Sequence, residues 1–390
     1  MSPRVARVES FVLTLPRDDP YLGALRPEET VNARGYFVRR ANRTVYPTFD
    51  RSVLVRVTSS DGAEGWGKPC GLAAPRATTE IIDDLLGDFV VGRDPFEAAA
   101  IHDDLYDLMR VRGYPGGFYL DALAAVDIAL WDLAGRLSGR PLADLLGGRR
   151  RTSIPAYVSG LPAPTLVERV AIASRWCAHG FDAVKFADAV ADSGPVEEIA
   201  ALRRELGTEV RIGVDLHWRY QPAEAIRVIR EMEPHDPWFA EAPVAPEEVA
   251  AQAEVARAVR TPIALGEEWR TSYDAKLRFE RGCPAIVQPE MGHTGPTEFL
   301  RIAALAHAAG ITVMPHATIG VGIFLAASLH AAAAIDAVAS HEFQHSILLR
   351  HRGLLDGPLE CADGAYTLPP GPGLGVRPGA EVRRMIGIQP

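Results

Sequence analysis

Cysteine is scarce in this sequence. Four residues (Cys70, Cys177, Cys283 and Cys361) are scattered through 390. No two have zinc-module spacing and four are too few for a disulfide framework, so reduced thiols in a cytoplasmic protein are expected. Basic charge is not in excess either. With 50 acidic against 41 basic residues, the formal net charge is -9; a nucleic-acid partner would call for a cationic face, so none is expected. A long unbroken apolar run is missing. The most apolar stretch, 311–340, carries Pro315, His316, His330 and Asp336, which excludes a membrane span there and suggests a buried strand followed by a packed helix. The opening MSPRVARVESFVLTLP lacks the apolar core and small-residue cleavage site of a secretory signal. No G-x-G-x-x-G follows a strand pattern, so dinucleotide binding has no support.

What is present is globular: 47% hydrophobic and 23% charged residues, at a length suited to one large domain with a smaller partner. Residues 1–60 read as strand, long proline-bearing loop and strand, with Asp61-Gly62 as a hairpin turn. Helical periodicity runs with breaks from 78 to 109 and again over 119–137, giving an α+β domain over residues 1–125. Beyond Thr152 short apolar runs recur: IPAYVSG, AVKF, RIGVDL, WFAEAP, PIALGE, AIVQPE, TVMPHA and HEFQ. Amphipathic helical stretches separate them. Eight such runs predict a parallel α/β barrel over 126–359, in preference to a doubly wound open sheet.

Polar residues end these runs at a near-constant interval. Asp215 to Glu241, and Glu241 to Glu267, are each 26 residues. In a parallel barrel all strand C-termini share one mouth, so Asp215, Glu241 and Glu267 converge. Three carboxylates together repel one another unless a cation lies between them, and an all-oxygen set favours Mg²⁺ over Zn²⁺. The alternative is three unrelated acids capping the helices that follow. Glu290 and His316 end the next two strands, where a carboxylate beside an imidazole makes a general base. Lys185 on the second strand offers a cation for a substrate carboxylate or for the acids. Glu342 on the last, held protonated, would donate to an oxygen gathering charge. His217, two residues past Asp215, would share its face if the strand continues, and would bind a hydroxyl or donate a proton. His293 and His345 are weaker candidates, His293 for substrate binding. Gly292 and Gly295 suit a tight loop beside a ligand. Tyr21, Arg26, Arg34, Tyr36, Arg39 and Arg40 belong to an early loop that could cover the mouth.

The segment ALAAVDIALWDLAGRLSGRPLADLLGG (122–148), the strand ends VDLH, FAEAP and ALGEE, and the PH of VMPHA together resemble the enolase superfamily, mandelate racemase-like subgroup. The resemblance implies a modified TIM barrel, (β/α)7β, under an N-terminal α+β capping domain that the segment 360–390 closes. It implies Mg²⁺ held by Asp215, Glu241 and Glu267, with Glu268 the adjacent alternative. His316 would be the catalytic base, and Glu342 would help to hold the enolate. It also implies symmetric homo-oligomers. Two departures stand out. The usual Lys-x-Lys of the second strand reads Lys185-Phe186-Ala187, and the usual Asp partner of the base is Glu290. Losing the second lysine favours one-sided chemistry: abstraction of the proton α to a carboxylate, then loss of a β-hydroxyl, as in a sugar-acid dehydratase making a 2-keto-3-deoxy acid. His316, once protonated, or His217 would supply the leaving-group proton. Opening of a sugar lactone or anhydro sugar acid by a cycloisomerase is the second expectation. A racemase using Lys185 or His217 as opposite base is the third, and a non-catalytic ligand binder is the distant one.

Overall fold

The computed structural model describes residues 3–20, 23–40, 43–317 and 320–388. The N-terminal part is built on an antiparallel sheet. Val5–Pro16 pairs with Phe49–Ser59, which turns at Asp61-Gly62 and pairs with Glu64–Gly67. A small hairpin, Tyr36–Arg39 with Thr44–Pro47, stands beside it.

The long helix Gly117–Ser138 lies across this sheet, and it is apolar around nearly its whole circumference because both of its sides are covered. One side meets Glu64–Gly67 and the other meets the helix Met291–Ala309 of the second layer. Glycine explains the close fit. A Cβ on Gly67 would come within 1.9 Å of Ala125 O and one on Gly65 within 2.2 Å of Ala129 O, so strand and helix touch backbone to backbone. Residue 125 thus lies in mid-helix, against Gly67 of the N-terminal sheet.

The eight apolar runs form parallel strands in chain order: Ser153–Ser159, Ala183–Ala187, Arg211–Asp215, Pro237–Glu241, Ile263–Leu265, Ile286–Val287, Thr312–Val313 and His341–Gln344. The eighth pairs with the first, Glu342 opposite Tyr157. Between seventh and eighth the ring closes through Val313 N to Ala337 O (3.2 Å), Ala339 N to Val313 O (3.1 Å) and Glu342 N to Pro315 O (3.2 Å). Helices run between consecutive strands, from Leu166–Ala178 to Ile323–Ala334. Their starts carry the expected signals: capping boxes at Thr165/Glu168 and Thr271/Asp274, and proline in the first turn at Pro195 and Pro222.

The C-terminal segment joins both layers. Ala365–Thr367 adds antiparallel to the first barrel strand. Further on, Leu374 N donates to Asp132 of the long helix (2.8 Å), and Arg383 Nη2 donates to Glu64 Oε2 (2.8 Å). No helix among the described residues is long and apolar enough to cross a membrane.

Candidate active site

The C-terminal ends of the strands gather acids and one imidazole. Asp215 and Glu241 close the third and fourth strands, in register with each other. Glu267 lies two residues beyond the fifth, after Gly266, whose φ of +124° turns the chain inward. Glu290 and His316 lie past the short sixth and seventh strands and face each other across a parallel bridge. Lys185 is the middle residue of the second strand and Glu342 the second residue of the eighth, so neither ends its strand as the sequence suggested.

A chain of contacts joins these residues. His316 Nδ1 is 2.7 Å from Glu290 Oε2; its Nε2 is 3.0 Å from Glu267 Oε2 and 3.3 Å from Glu342 Oε2. Ala317 N also donates to Glu342 Oε2 (2.9 Å), while Lys185 Nζ reaches Glu342 Oε1 (3.0 Å) and Glu241 Oε2 (2.7 Å). Glu241, Glu267 and His316 present ligand atoms within 4.8 Å of one another. Asp215 stands at the edge of this group. Its Oδ1 accepts from His217 N (2.9 Å) and lies 3.2 Å from His217 Nδ1.

Burial would strip charge from every one of these groups, and their neighbours decide the outcome. Burial pulls His316 down, but Glu267 and Glu342 overcome it and hold the imidazole well above its usual range. Lys185 is likewise held up, against burial, by Glu241 and Glu342. Burial and the neighbouring carboxylates raise Glu241 well above the ordinary value despite Lys185, and burial with Glu267 raises Asp215. Glu342 goes the other way. Burial favours its neutral form, but His316, Lys185, the Ser159 hydroxyl and Ala317 N hold it below the normal carboxylate range. The protonated, donating Glu342 expected from the sequence is therefore not what its surroundings favour: two cations and a backbone N–H stabilise the anion.

Other candidates fall elsewhere. His217 does not continue the strand, because the strand stops at Asp215 and His217 and Trp218 take left-handed φ of 50° and 51°. It still reaches back to Asp215. His293 pairs with Asp121 of the long helix (Nδ1 to Oδ1, 2.6 Å). His345 Nε2 meets Gly160 O (2.8 Å) beside Trp176. Glu268 accepts from the Trp269 indole (3.0 Å), and burial, with Glu267 beside it, pushes it up to about 7. In the early loop, Arg26 Nη2 reaches Ala189 O (3.3 Å) after the second barrel strand, whereas Arg39 is buried against Glu29 (2.8 Å). Tyr36 accepts from Ala74 N (2.9 Å), Arg34 and Arg40 are exposed, and Tyr21 lies outside the described residues.

Sequence reasoning missed Gln288, which donates to Glu241 Oε2 (2.8 Å), and Tyr157, whose ring lies 5.9 Å from Lys185 Nζ. Both signals were available. Gln288 precedes Glu290 by two, hence shares its side of an extended chain, and Tyr157 sits in an otherwise small-residue run.

Residues 39–147 match the mandelate racemase / muconate lactonizing enzyme N-terminal domain, and residues 168–382 match the enolase C-terminal domain-like family. The chain belongs to the enolase superfamily. Within the superfamily it is 35% identical over 345 residues to the D-galactarolactone cycloisomerase of Agrobacterium fabrum, covering 84% of this chain and 89% of that one. It is 32% identical over 370 residues to the D-galactonate dehydratase of Xanthomonas euvesicatoria, covering 89% and 94%. A crystal structure of a Sinorhizobium meliloti protein superposes with a TM-score of 0.97 at 61% identity, covering 98% of this chain and 99% of that chain. A Streptomyces coelicolor racemase with bound magnesium superposes at 0.82 with 26% identity, covering 98% and 99%.

Proposed function

We propose that this superfamily member removes the proton α to the carboxylate of a sugar acid and expels the β-hydroxyl, giving a 2-keto-3-deoxy acid. The observation that carries the reading is the clamped imidazole. His316 is held at Nδ1 by Glu290 and faces Glu267 and Glu342 with Nε2, and the second strand reads Ala187 where the superfamily's Lys-x-Lys pattern has its second lysine.

The donor set fits Mg²⁺. Glu241 Oε1 is buried without a hydrogen-bond partner among the described residues, and the Glu241 and Glu267 carboxylates lie close enough to share an ion. Glu241 and Glu267, with Asp215 beside them, would hold it, all through hard oxygen donors. When bound, Mg²⁺ supplies fixed positive charge for a substrate carboxylate that gathers negative charge as its α-proton leaves.

The rest is done by side chains. In the neutral form that abstracts, Glu290 keeps the His316 proton on Nδ1 and leaves the Nε2 lone pair to take the α-proton; the imidazolium that results is the form that Glu267 and Glu342 favour. Lys185, screened from water, adds positive charge beside the developing enolate. The hydroxyl leaves with a proton from His316, if it departs on the same face, or from His217, whose Nδ1 lies 3.2 Å from Asp215 Oδ1. A screen of mono- and diacid sugars with Mg²⁺ present tests the reading: keto-acid formation from at least one is expected, and none from any would end it.

Lactone or anhydro-ring opening is the second reading, favoured by the similarity to the Agrobacterium fabrum cycloisomerase. It uses the same base but loses no water, so product mass separates the two.

A further inference from the structure

Asp121 belongs to the long helix of the N-terminal layer, yet its carboxylate is spent on the barrel. Arg270 Nε donates to Oδ1 (2.9 Å) and Nη2 to Oδ2 (3.3 Å), while His293 Nδ1 meets Oδ1 (2.6 Å). Arg270 is three residues beyond Glu267 and His293 three beyond Glu290. Short turns make both spacings stiff. Trp269 N bonds Gly266 O (3.2 Å) and Arg270 Nη1 bonds Glu268 O (3.0 Å); His293 N bonds Glu290 O (3.0 Å), and Thr294 Oγ1 donates to the same oxygen (3.1 Å). Glu267 and Glu290 are the two carboxylates that grip opposite nitrogens of His316. One buried acid therefore holds, at matching positions, the two segments that fix the imidazole.

We propose that Asp121 is a positioning residue for the proton-transfer chemistry: by tying Arg270 to His293 it sets the spacing of Glu267 and Glu290 around His316. This rests on His316 being the base. The geometry is more than ordinary domain glue. Asp127, further along the same helix, accepts from Thr297 N (2.9 Å) and Thr297 Oγ1 (2.8 Å) and joins the same two helices, but it touches neither segment. It provides the control, because a role confined to stability would be shared by both acids.

The test compares D121A, D121N and D127N by steady-state kinetics, denaturant unfolding and crystallography. D121A is expected to lower kcat about 10- to 100-fold with KM nearly unchanged, the range for groups that orient reacting residues. D121N, which keeps one acceptor oxygen, should fall between it and wild type. D127N should lose stability and keep its kcat. In crystals, D121A should lose the contact of His316 with Glu267 or with Glu290 while the barrel is otherwise unaltered. Wild-type kcat in folded D121A, or an equal loss in D127N, overturns the proposal. Should the wild-type protein turn over no sugar acid, the proposed reaction fails. The crystallographic comparison then decides the positioning role alone, and an unmoved Glu267–His316–Glu290 chain in D121A overturns it.

Discussion

Glu290 Oε2 lies 2.7 Å from His316 Nδ1, across a parallel bridge that brings the two residues face to face. A carboxylate in that place fixes the imidazole tautomer and raises its basicity. E290Q keeps the size and removes the charge. We expect kcat to fall about 10- to 100-fold with little change in KM; steady-state kinetics on a turned-over sugar acid would show it, and an unchanged kcat would deny the pair any part in the reaction.

His316 itself contacts three carboxylates, and it offers a ligand atom within 4.8 Å of those of Glu241 and Glu267. As the base, H316N should lose at least about 100-fold in turnover. As a base rather than a ligand, it should leave Mg²⁺ affinity in place. Calorimetric titration of the variant distinguishes the roles, since loss of ion binding would make His316 part of the metal site.

Lys185 is the counter-charge of both Glu241 and Glu342, and all three are buried. K185M strands two acids in a low-dielectric interior. Unfolding free energy should drop by about 3–5 kcal/mol. Adding Mg²⁺ should restore part of that loss, because an ion at Glu241 replaces one missing charge. Urea unfolding with and without Mg²⁺ measures both, and a variant as stable as wild type would remove the lysine from the charge balance.

His293 gives a pH dependence. Burial pulls its proton affinity down, but Asp121 overrides it and raises the imidazole from 6.5 to about 10. A folded value above the unfolded one means the stabilisation is fully present below 6.5 and fades as pH rises through about 10. H293Q should be less stable than wild type by about 2 kcal/mol at pH 6, and the gap should close in strongly alkaline solution. Urea midpoints across that window test it; a gap that widens with pH would show that the imidazole is not charged.

The eight barrel strands are legible as recurring apolar runs, and the acids at a 26-residue interval from Asp215 to Glu267 place the mouth. What sequence spacing could not show is where a strand stops. Spacing puts His217 on the face of Asp215 if the strand continues, but two left-handed residues turn it back on its neighbour. The sequence does not show the neighbours of Glu342: Lys185, His316 and Ala317 N come beside it only by closure of the ring. The pairing of His293 is hidden for the same reason. Its partner, Asp121, lies 172 residues away, and no local pattern announces such a pairing.

Residues that follow the barrel bond back to the N-terminal layer. Arg383 holds Glu64, and Leu374 holds Asp132, which also receives Trp66 N at 2.8 Å. During synthesis the N-terminal layer emerges first, and these anchors follow only after the last barrel strand. That layer must then wait, incompletely fastened, through the making of the whole barrel, and such long-range closure slows folding. Removing residues 374–388 takes away both anchors and should therefore loosen the antiparallel sheet of the N-terminal layer more than the barrel.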